Sequence, residues 1–219
     1  MTVLYEDADL IAFNKPASLP TQADETGDTS LQQYAEKALN CTLFVVHRLD
    51  RPTSGIVVFA KHEQAAASLS QQFQSRETEK KYFAIVEKKP EIESGALLHF
   101  LAHNSANNKS FPIAEGSANA KRAELRFILR GSSDRYFLLE LTLLTGRHHQ
   151  IRAQLSAIGC PIKGDVKYGA RRSNTDRSIH LHAAELTLKQ PQTGERLTLR
   201  AEPLHKDALW QFFEGIMSN

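Results

Sequence analysis

Two cysteines, Cys41 and Cys160, are all that the 219 residues contain. They make no disulfide framework, and their spacing fits no metal motif. No apolar run approaches the roughly 20 residues needed to span a bilayer. The first stretch, MTVLYEDADLIAF, is acidic and lacks the basic region and apolar core of a secretory signal. Internal repeats and low-complexity segments are absent, which argues against a solenoid or a linker-rich chain. The net charge is only +2, so the total names no polyanionic partner. What remains is 41% hydrophobic and 24% charged, the balance of an ordinary soluble domain. The length suits one domain with a substantial core, and the cytoplasm is the expected location.

Charge is unevenly spread. Residues 1–40 carry seven acids and two bases, whereas residues 146–180 carry seven bases and two acids. Such polarity is expected where one face meets a polyanion, although a solvated basic surface has the same signature. Local patterns predict strands at 2–5, 9–14, 55–61, 80–88, 119–130, 135–145, 184–189 and 196–200. They predict helices after a capping box at Thr29-Ser30-Leu31-Gln32, at 63–75, at 148–158 and at about 205–216. Gly131-Ser132-Ser133-Asp134 reads as a hairpin turn, and 103–118 as a long polar loop. Strands outnumber helices and hairpins dominate. The expected class is α+β, a mainly antiparallel mixed β-sheet with flanking helices.

Three segments concentrate reactive side chains. His47-Arg48-Leu49-Asp50-Arg51-Pro52-Thr53-Ser54-Gly55 puts a carboxylate between two arginines, in a loop beside an apolar strand. Nearby cations favour an ionised carboxylate, which serves as nucleophile or base; an ordinary loop salt-bridge cluster has the same residues. Thr145-Gly146-Arg147-His148-His149-Gln150-Ile151-Arg152 opens a helix with Arg147 at its positive end, an arrangement tolerated where an anion binds. Arg152 lies beside the apolar stripe of Ile151 and Leu155. A buried arginine needs a carboxylate partner, and Asp50 is a candidate. In Glu79-Lys80-Lys81-Tyr82-Phe83-Ala84 a strand places residues 80, 82 and 84 on one face, so Tyr82 is either a base-stacking ring or a core tyrosine. His148, His149, His180 and His182 form no H-E-x-x-H pattern, and no metal site is expected.

Taken together, the segments resemble the RluA-like family of RNA pseudouridine synthases. HRLDRPTSGIVVFAK is similar to that family's H-R-L-D-x-x-T-S-G motif, and KKYFAIV to its lysine–tyrosine strand. TGRHHQIRAQL, with the later Pro161-Ile162, Gly164-Asp165 and Tyr168-Gly169, is similar to G-R-x-H-Q-I-R … G-x-P-I-x-G-D-x-x-Y-G. The resemblance runs from about residue 3 to residue 203. It implies one catalytic domain over 1–219, without the small accessory RNA-binding domain of many relatives. It implies isomerisation of uridine in tRNA or rRNA, with Asp50, Tyr82 and Arg152 as catalytic residues and Arg48 filling the space of a flipped base. Further RNA contacts are expected from Arg51, Arg147, His149, Gln150, Lys163, Lys167, Arg171 and Arg172. The resemblance implies no cofactor and no metal, and a monomer with RNA as partner is expected.

Overall fold

The computed structural model describes residues 2–217. Among them are eleven strands and four α-helices. No helix of these residues is long and apolar enough to cross a membrane. The chain divides into two compact units. One comprises the chain up to Lys80 together with His182–His205, and the other Lys81–Leu181 together with the chain from Lys206.

In the first unit β1 (Thr2–Glu6) and β2 (Leu10–Lys15) form a hairpin around an acidic turn. Asp7 makes that turn by accepting from the amides of Asp9 and Leu10, both at 2.8 Å. The unit's strand order continues β1-β2-β4-β10. β4 (Ser54–Ala60) is antiparallel to β2 and parallel to β10 (Leu181–Lys189). The continuous run Gly55-Ile56-Val57-Val58-Phe59-Ala60 is buried throughout, as expected of a strand covered on both faces. β3 (Phe44–Val45) pairs with β4, and β11 (Arg196–Arg200) with β10. Helix α2 (Glu63–Ser75) lays Ala65 and Leu69 onto a core of Leu10, Ala12, Ile56, Val58, Leu186 and Leu188.

Helix α1 (Leu31–Leu39) begins one residue later than predicted. Ser30, not Thr29, is the N-cap: its hydroxyl accepts from the Gln33 amide, and Gln33 Oε1 accepts from the Ser30 amide at 2.9 Å. Both registers offer a hydroxyl followed three residues on by Gln. Leu31 and Ala35 of this helix are buried in the core.

In the second unit the order is β5-β9-β8-β6-β7, comprising β5 (Glu79–Val86), β6 (Ser94–Asn104), β7 (Lys109–Ile113), β8 (Lys121–Ser132) and β9 (Phe137–Leu143). The polar loop expected at 103–118 is half strand. β6 and β7 pair antiparallel from Phe100↔Ile113 to Asn104↔Lys109. Pro112 hides the signal, yet it is tolerated because β7 is an edge strand. The turn expected at Gly131 also moves. β8 runs on through Ser132 with a register shift between Leu129 and Gly131, and the Ser133 amide closes the turn on the Tyr136 carbonyl at 2.8 Å. A Cβ at Gly131 would lie 2.8 Å from Ile216 and 3.2 Å from Phe213, so α4 (Ala208–Met217) packs against this glycine. Helix α3 (Gln150–Ala157) covers the inner sheet face, with Ile151 and Leu155 among Ala84, Val86, Leu125, Phe127 and Leu141.

Candidate active site

The segment from His47 to Gly55 joins β3 to β4, and nearly every residue in it has an assigned partner. His47 Nε2 accepts from the Val58 amide at 2.9 Å, while its ring stacks on Phe73 at 4.5 Å. Leu49 is buried, and the Thr21 hydroxyl serves both of its backbone groups: it donates to the carbonyl at 3.0 Å and accepts from the amide at 3.2 Å. The Arg51 carbonyl accepts from the Ser18 amide at 2.8 Å. The Asp50 carbonyl accepts from the Thr53 amide at 3.0 Å and starts a turn. The backbone of Asp50 is therefore held on both sides while its side chain is half-buried.

Ser54 and Gly55 seat the loop on the neighbouring strand. His182 Nε2 lies 2.9 Å from the Ala201 carbonyl, which only accepts, so that nitrogen carries the proton. Nδ1 is then the acceptor and the Ser54 hydroxyl donates to it at 2.9 Å. Gly55 has φ +115°, and a Cβ there would lie 2.6 Å from the Ala183 nitrogen. Only glycine lets β4 approach β10 this closely at His182↔Ser54 and Ala183↔Gly55.

Burial pulls His47 down to about 3 and His182 to about 4, so both are neutral in the native protein. An unfolded histidine gains its proton near 6.5. Their contribution to stability is thus complete above pH 6.5 and is lost as the pH falls toward 4, where only the unfolded chain takes up protons. For His182 the loss across that window is roughly 3 kcal/mol. Denaturant titrations at pH 7 and pH 4.5 should show the midpoint falling, and His182→Gln should reduce the fall. An equal pH response in the variant contradicts the assignment.

The arginines flanking Asp50 differ. Arg48 is exposed. Arg51 is half-buried and turned toward the acidic loop: it pairs with Asp28, donates to Thr26 Oγ1 at 2.7 Å and to the Ser18 carbonyl at 3.2 Å, and lies 3.6 Å from Asp24.

Arg147 stands before α3, not in its first turn as expected, because the helix starts at Gln150 with His149 as N-cap. Its Nε donates to the Arg122 carbonyl at 3.0 Å. Gln150 is buried and ties this entry together. Its Oε1 accepts from Thr145 Oγ1 at 2.7 Å and from the Arg147 amide at 2.9 Å, and its Nε2 donates to the Glu124 carbonyl at 3.1 Å. His149 is also buried, and its Nδ1 lies 3.0 Å from the Tyr168 hydroxyl. Burial first, then the nearby Arg152 cation, pulls His149 down to about 2. These two side chains meet the interior here, whereas an RNA-facing role was expected of them.

Arg152 is 5% exposed and Asp165 2%. They form a two-bond fork, Nε to Oδ2 at 2.7 Å and Nη2 to Oδ1 at 2.8 Å. The guanidinium lies 4.9 Å from the centroid of the Tyr168 ring. The carboxylate that a buried arginine requires is thus supplied, at least in part, by Asp165. In the sequence Gly164-Asp165 and Tyr168-Gly169 stand out only as parts of a pattern, and neither side chain has a visible role. The available signal was an acid and an aromatic three apart, just beyond the arginine's helix.

Tyr82 is half-buried in β5, packed on the core formed with Ala84, Val86 and Ile151. Lys81 points to the other face, 3.9 Å from Glu140. Lys163 donates to Asn174 at 2.6 Å, and Lys167 to the carbonyls of Asn107 and Asn108 at 3.0 and 3.1 Å. Arg171 and Arg172 are exposed. Of the four histidines, His148 lies 3.0 Å from Ser110 Oγ, and His180 Nε2 lies 2.9 Å from Asp207. Among the described residues no His, Cys, Asp or Glu group could hold a metal ion.

A solved human protein, RNA Pseudouridylate Synthase Domain Containing 4, shares this fold with a TM-score of 0.76 and 26% identity, covering 99% of this chain and 93% of that one. The α+β fold is that of a pseudouridylate synthase. Residues 9–157, which include Asp50, Tyr82 and Arg152, match the model of the RNA pseudouridylate synthase family. A tRNA pseudouridine synthase C of Haemophilus ducreyi is 33% identical, covering 92% of this chain and 90% of that protein. A ribosomal large subunit pseudouridine synthase C of Rickettsia typhi is 34% identical, covering 91% and 67%. The chain belongs to the RNA pseudouridylate synthase family, and its activity is that of an isomerase. Among these and other relatives it spans from 60% to 90% of their length.

Proposed function

We propose that the protein converts particular uridines of structured tRNA or rRNA into pseudouridine, with Asp50 as the catalytic carboxylate. The bond from uracil N1 to the ribose breaks, the base turns while held, and C5 bonds to the sugar in its place. The C5 proton leaves and N1 gains one, so atoms balance and no group is donated. The observation that carries the reading is the bracing of Asp50: Thr21 and Ser18 hold the backbone on either side of a half-buried carboxylate. A group that acts on one atom of a sugar must be held to within a fraction of an ångström.

Asp50 either attacks the anomeric carbon or removes the 2′ proton to give a glycal. Tyr82 is assigned to the uracil face, with its hydroxyl near C5. Arg152 is assigned as the cation that orients Asp50. Asp165 uses two of the five N–H donors that an arginine has. The target uridine has to leave its stack, at a cost of a few kcal/mol, and Arg48 is assigned to the space it vacates. The family match runs through residues of both compact units, which supports one catalytic domain. We place the protein in the cytoplasm, as a monomer. Incubating transcripts of tRNA and rRNA with the protein and mapping pseudouridine tests the reaction. Release of free uracil would instead make it a hydrolase.

The RNA-facing surface is assigned to Arg48, Lys167, Arg171 and Arg172, all exposed, together with Arg147 and Lys163. RNA affinity should fall steeply with salt. Removing one cation that meets a phosphate should flatten the log–log salt slope by about 0.7–0.9. Replacing Lys167, Arg171 and Arg172 together by Gln should therefore weaken binding and reduce the slope by about 2.1–2.7. An unchanged slope would leave these residues as solvated surface.

A further inference from the structure

Residues 170–180, which lead into β10, form neither helix nor strand. They carry three exposed arginines, Arg171, Arg172 and Arg177, and a single acid, Asp176. Like charges this close in sequence repel, yet the loop is tied down from below. Lys163 Nζ donates to Asn174 Oδ1 at 2.6 Å, and Asn174 Nδ2 lies 3.1 Å from both Ser178 Oγ and His180 Nδ1. Gly164 leaves room for this approach, since a Cβ there would lie 2.8 Å from Asn174 Nδ2. His180 Nε2 lies 2.9 Å from Asp207 Oδ2. The other oxygen of Asp207 accepts from the amides of Leu209 and Trp210, both at 3.1 Å, so this carboxylate also caps α4. His180 is 2% exposed, and its ring stacks on Trp210 at 5.4 Å.

The two ends of this chain of bonds fix the direction of each one. An ammonium only donates, so the Asn174 oxygen faces Lys163 and its nitrogen faces His180. That amide nitrogen only donates, so His180 Nδ1 accepts. The imidazole proton is then on Nε2, which donates to Asp207. Ser178 gives its hydroxyl proton to Asp176 at 2.6 Å and so accepts from Asn174. Both Asn174 N–H groups and its oxygen are thus used. Apolar packing alone could hold α4 in place. A satisfied polar chain adds a defined geometry, and what it defines here is the arginine loop.

We propose that Asn174 and His180 are positioning residues for RNA binding. His180, its tautomer set by Asp207, holds Asn174, and Asn174 holds Arg171, Arg172 and Arg177 in the arrangement that meets phosphates. Arginines held in place before binding lose less freedom when RNA arrives. The proposal rests on the assignment of this loop to the RNA-facing surface. Neither Asn174 nor His180 touches RNA in this role.

The test is RNA affinity at fixed salt, with KM and kcat from tritium release, in Asn174→Ala, His180→Asn and His180→Gln. A loop with Arg171→Gln, Arg172→Gln and Arg177→Gln is assayed beside them, with and without Asn174→Ala. Urea titrations establish that each variant folds. Asn174 is only half-buried, so its variant covers the case in which those of His180 do not fold. Asn174→Ala should weaken binding about fivefold, the equivalent of one net hydrogen bond, and raise KM without lowering kcat. His180→Asn puts an acceptor near the Nδ1 position; it loses Asp207 and some stability but should keep wild-type affinity. His180→Gln puts its amide near the Nε2 position, keeps Asp207 and loses Asn174, and should bind as weakly as Asn174→Ala. In the loop without arginines, Asn174→Ala should weaken binding no further. A folded Asn174→Ala protein with wild-type affinity would overturn the proposal. So would equal affinities of the two His180 variants, or a loss of kcat in place of affinity. The same loss from Asn174→Ala with and without the arginines reduces the chain of bonds to a structural strut. Wild-type binding by the loop without arginines removes the RNA-facing reading of this loop, and the proposal with it. Weakened binding there beside an unaffected Asn174→Ala removes the proposal alone.

Discussion

Asp50→Asn should abolish tritium release from uridine-labelled RNA while the protein unfolds at a denaturant concentration close to that of the wild type. The two side chains are nearly the same size, and the hydrogen bonds that brace this loop run to its backbone. Thr21 grips Leu49, Ser18 and Lys15 grip the Arg51 carbonyl, and the Asp50 carbonyl receives the Thr53 amide. None of these requires a carboxylate. The chemistry does, because an amide neither attacks an anomeric carbon nor removes a proton. Loss of a group that acts covalently or as a base typically lowers the rate by about 10²–10⁴ at least. Binding of RNA should be preserved, since the phosphate-facing cations are untouched. A folded Asp50→Asn protein that turns over within tenfold of the wild type would show that the carboxylate is elsewhere.

The parts of this fold that were readable in the sequence are those set by local rules. Helix α2 falls at 63–75 as predicted, because Ala66, Leu69 and Phe73 recur at helical spacing; Leu69 is buried, with Ala66 and Phe73 packed against the same core. The GIVVFA run falls in β4 because a strand buried on both faces has no polar alternation to confuse it. What escaped depends on partners far along the chain. β7 contains Pro112 and polar residues, and its place as an edge strand is set only by β6. Gly131 reads as a turn residue until α4 is seen packed against it. The same distinction holds at the site. Asp50 was legible as a candidate because charge, Pro and Gly crowd around it in sequence. Lys15 was not, because its carbonyl partner at Arg51 is 36 residues away. Asp165 belongs to a legible pattern yet shows no role there, because its value depends on Arg152 being buried, and nothing in the residues from 147 to 152 fixes that depth.

The Arg152–Asp165 fork carries the second large effect. Arg152→Ala should eliminate activity and also lower stability by roughly 3–5 kcal/mol, the cost of leaving one member of a buried ion pair uncompensated. Here the member left behind is Asp165, 2% exposed and stripped of both hydrogen bonds of the fork. Asp165→Ala should cost a similar amount, as it removes both hydrogen bonds of the fork from a guanidinium that is 5% exposed. Because the two losses share one interaction, the double variant should be far less unstable than the sum of the singles, with a coupling of about 1–3 kcal/mol. Activity separates the two residues. Arg152→Lys keeps the charge but has no planar fork to engage Asp165, so it should retain only partial activity. Asp165→Asn still accepts a hydrogen bond from the fork and should keep more activity than Asp165→Ala, because its task is to aim Arg152 and not to meet the nucleotide. Urea titrations of the four single variants and the double alanine variant, with tritium release on each, decide this. Additive losses in the double variant would mean that the fork contributes nothing as a pair. An active Arg152→Ala would take Arg152 out of the catalytic set and leave it as a strut for α3 and the Asp165–Tyr168 turn.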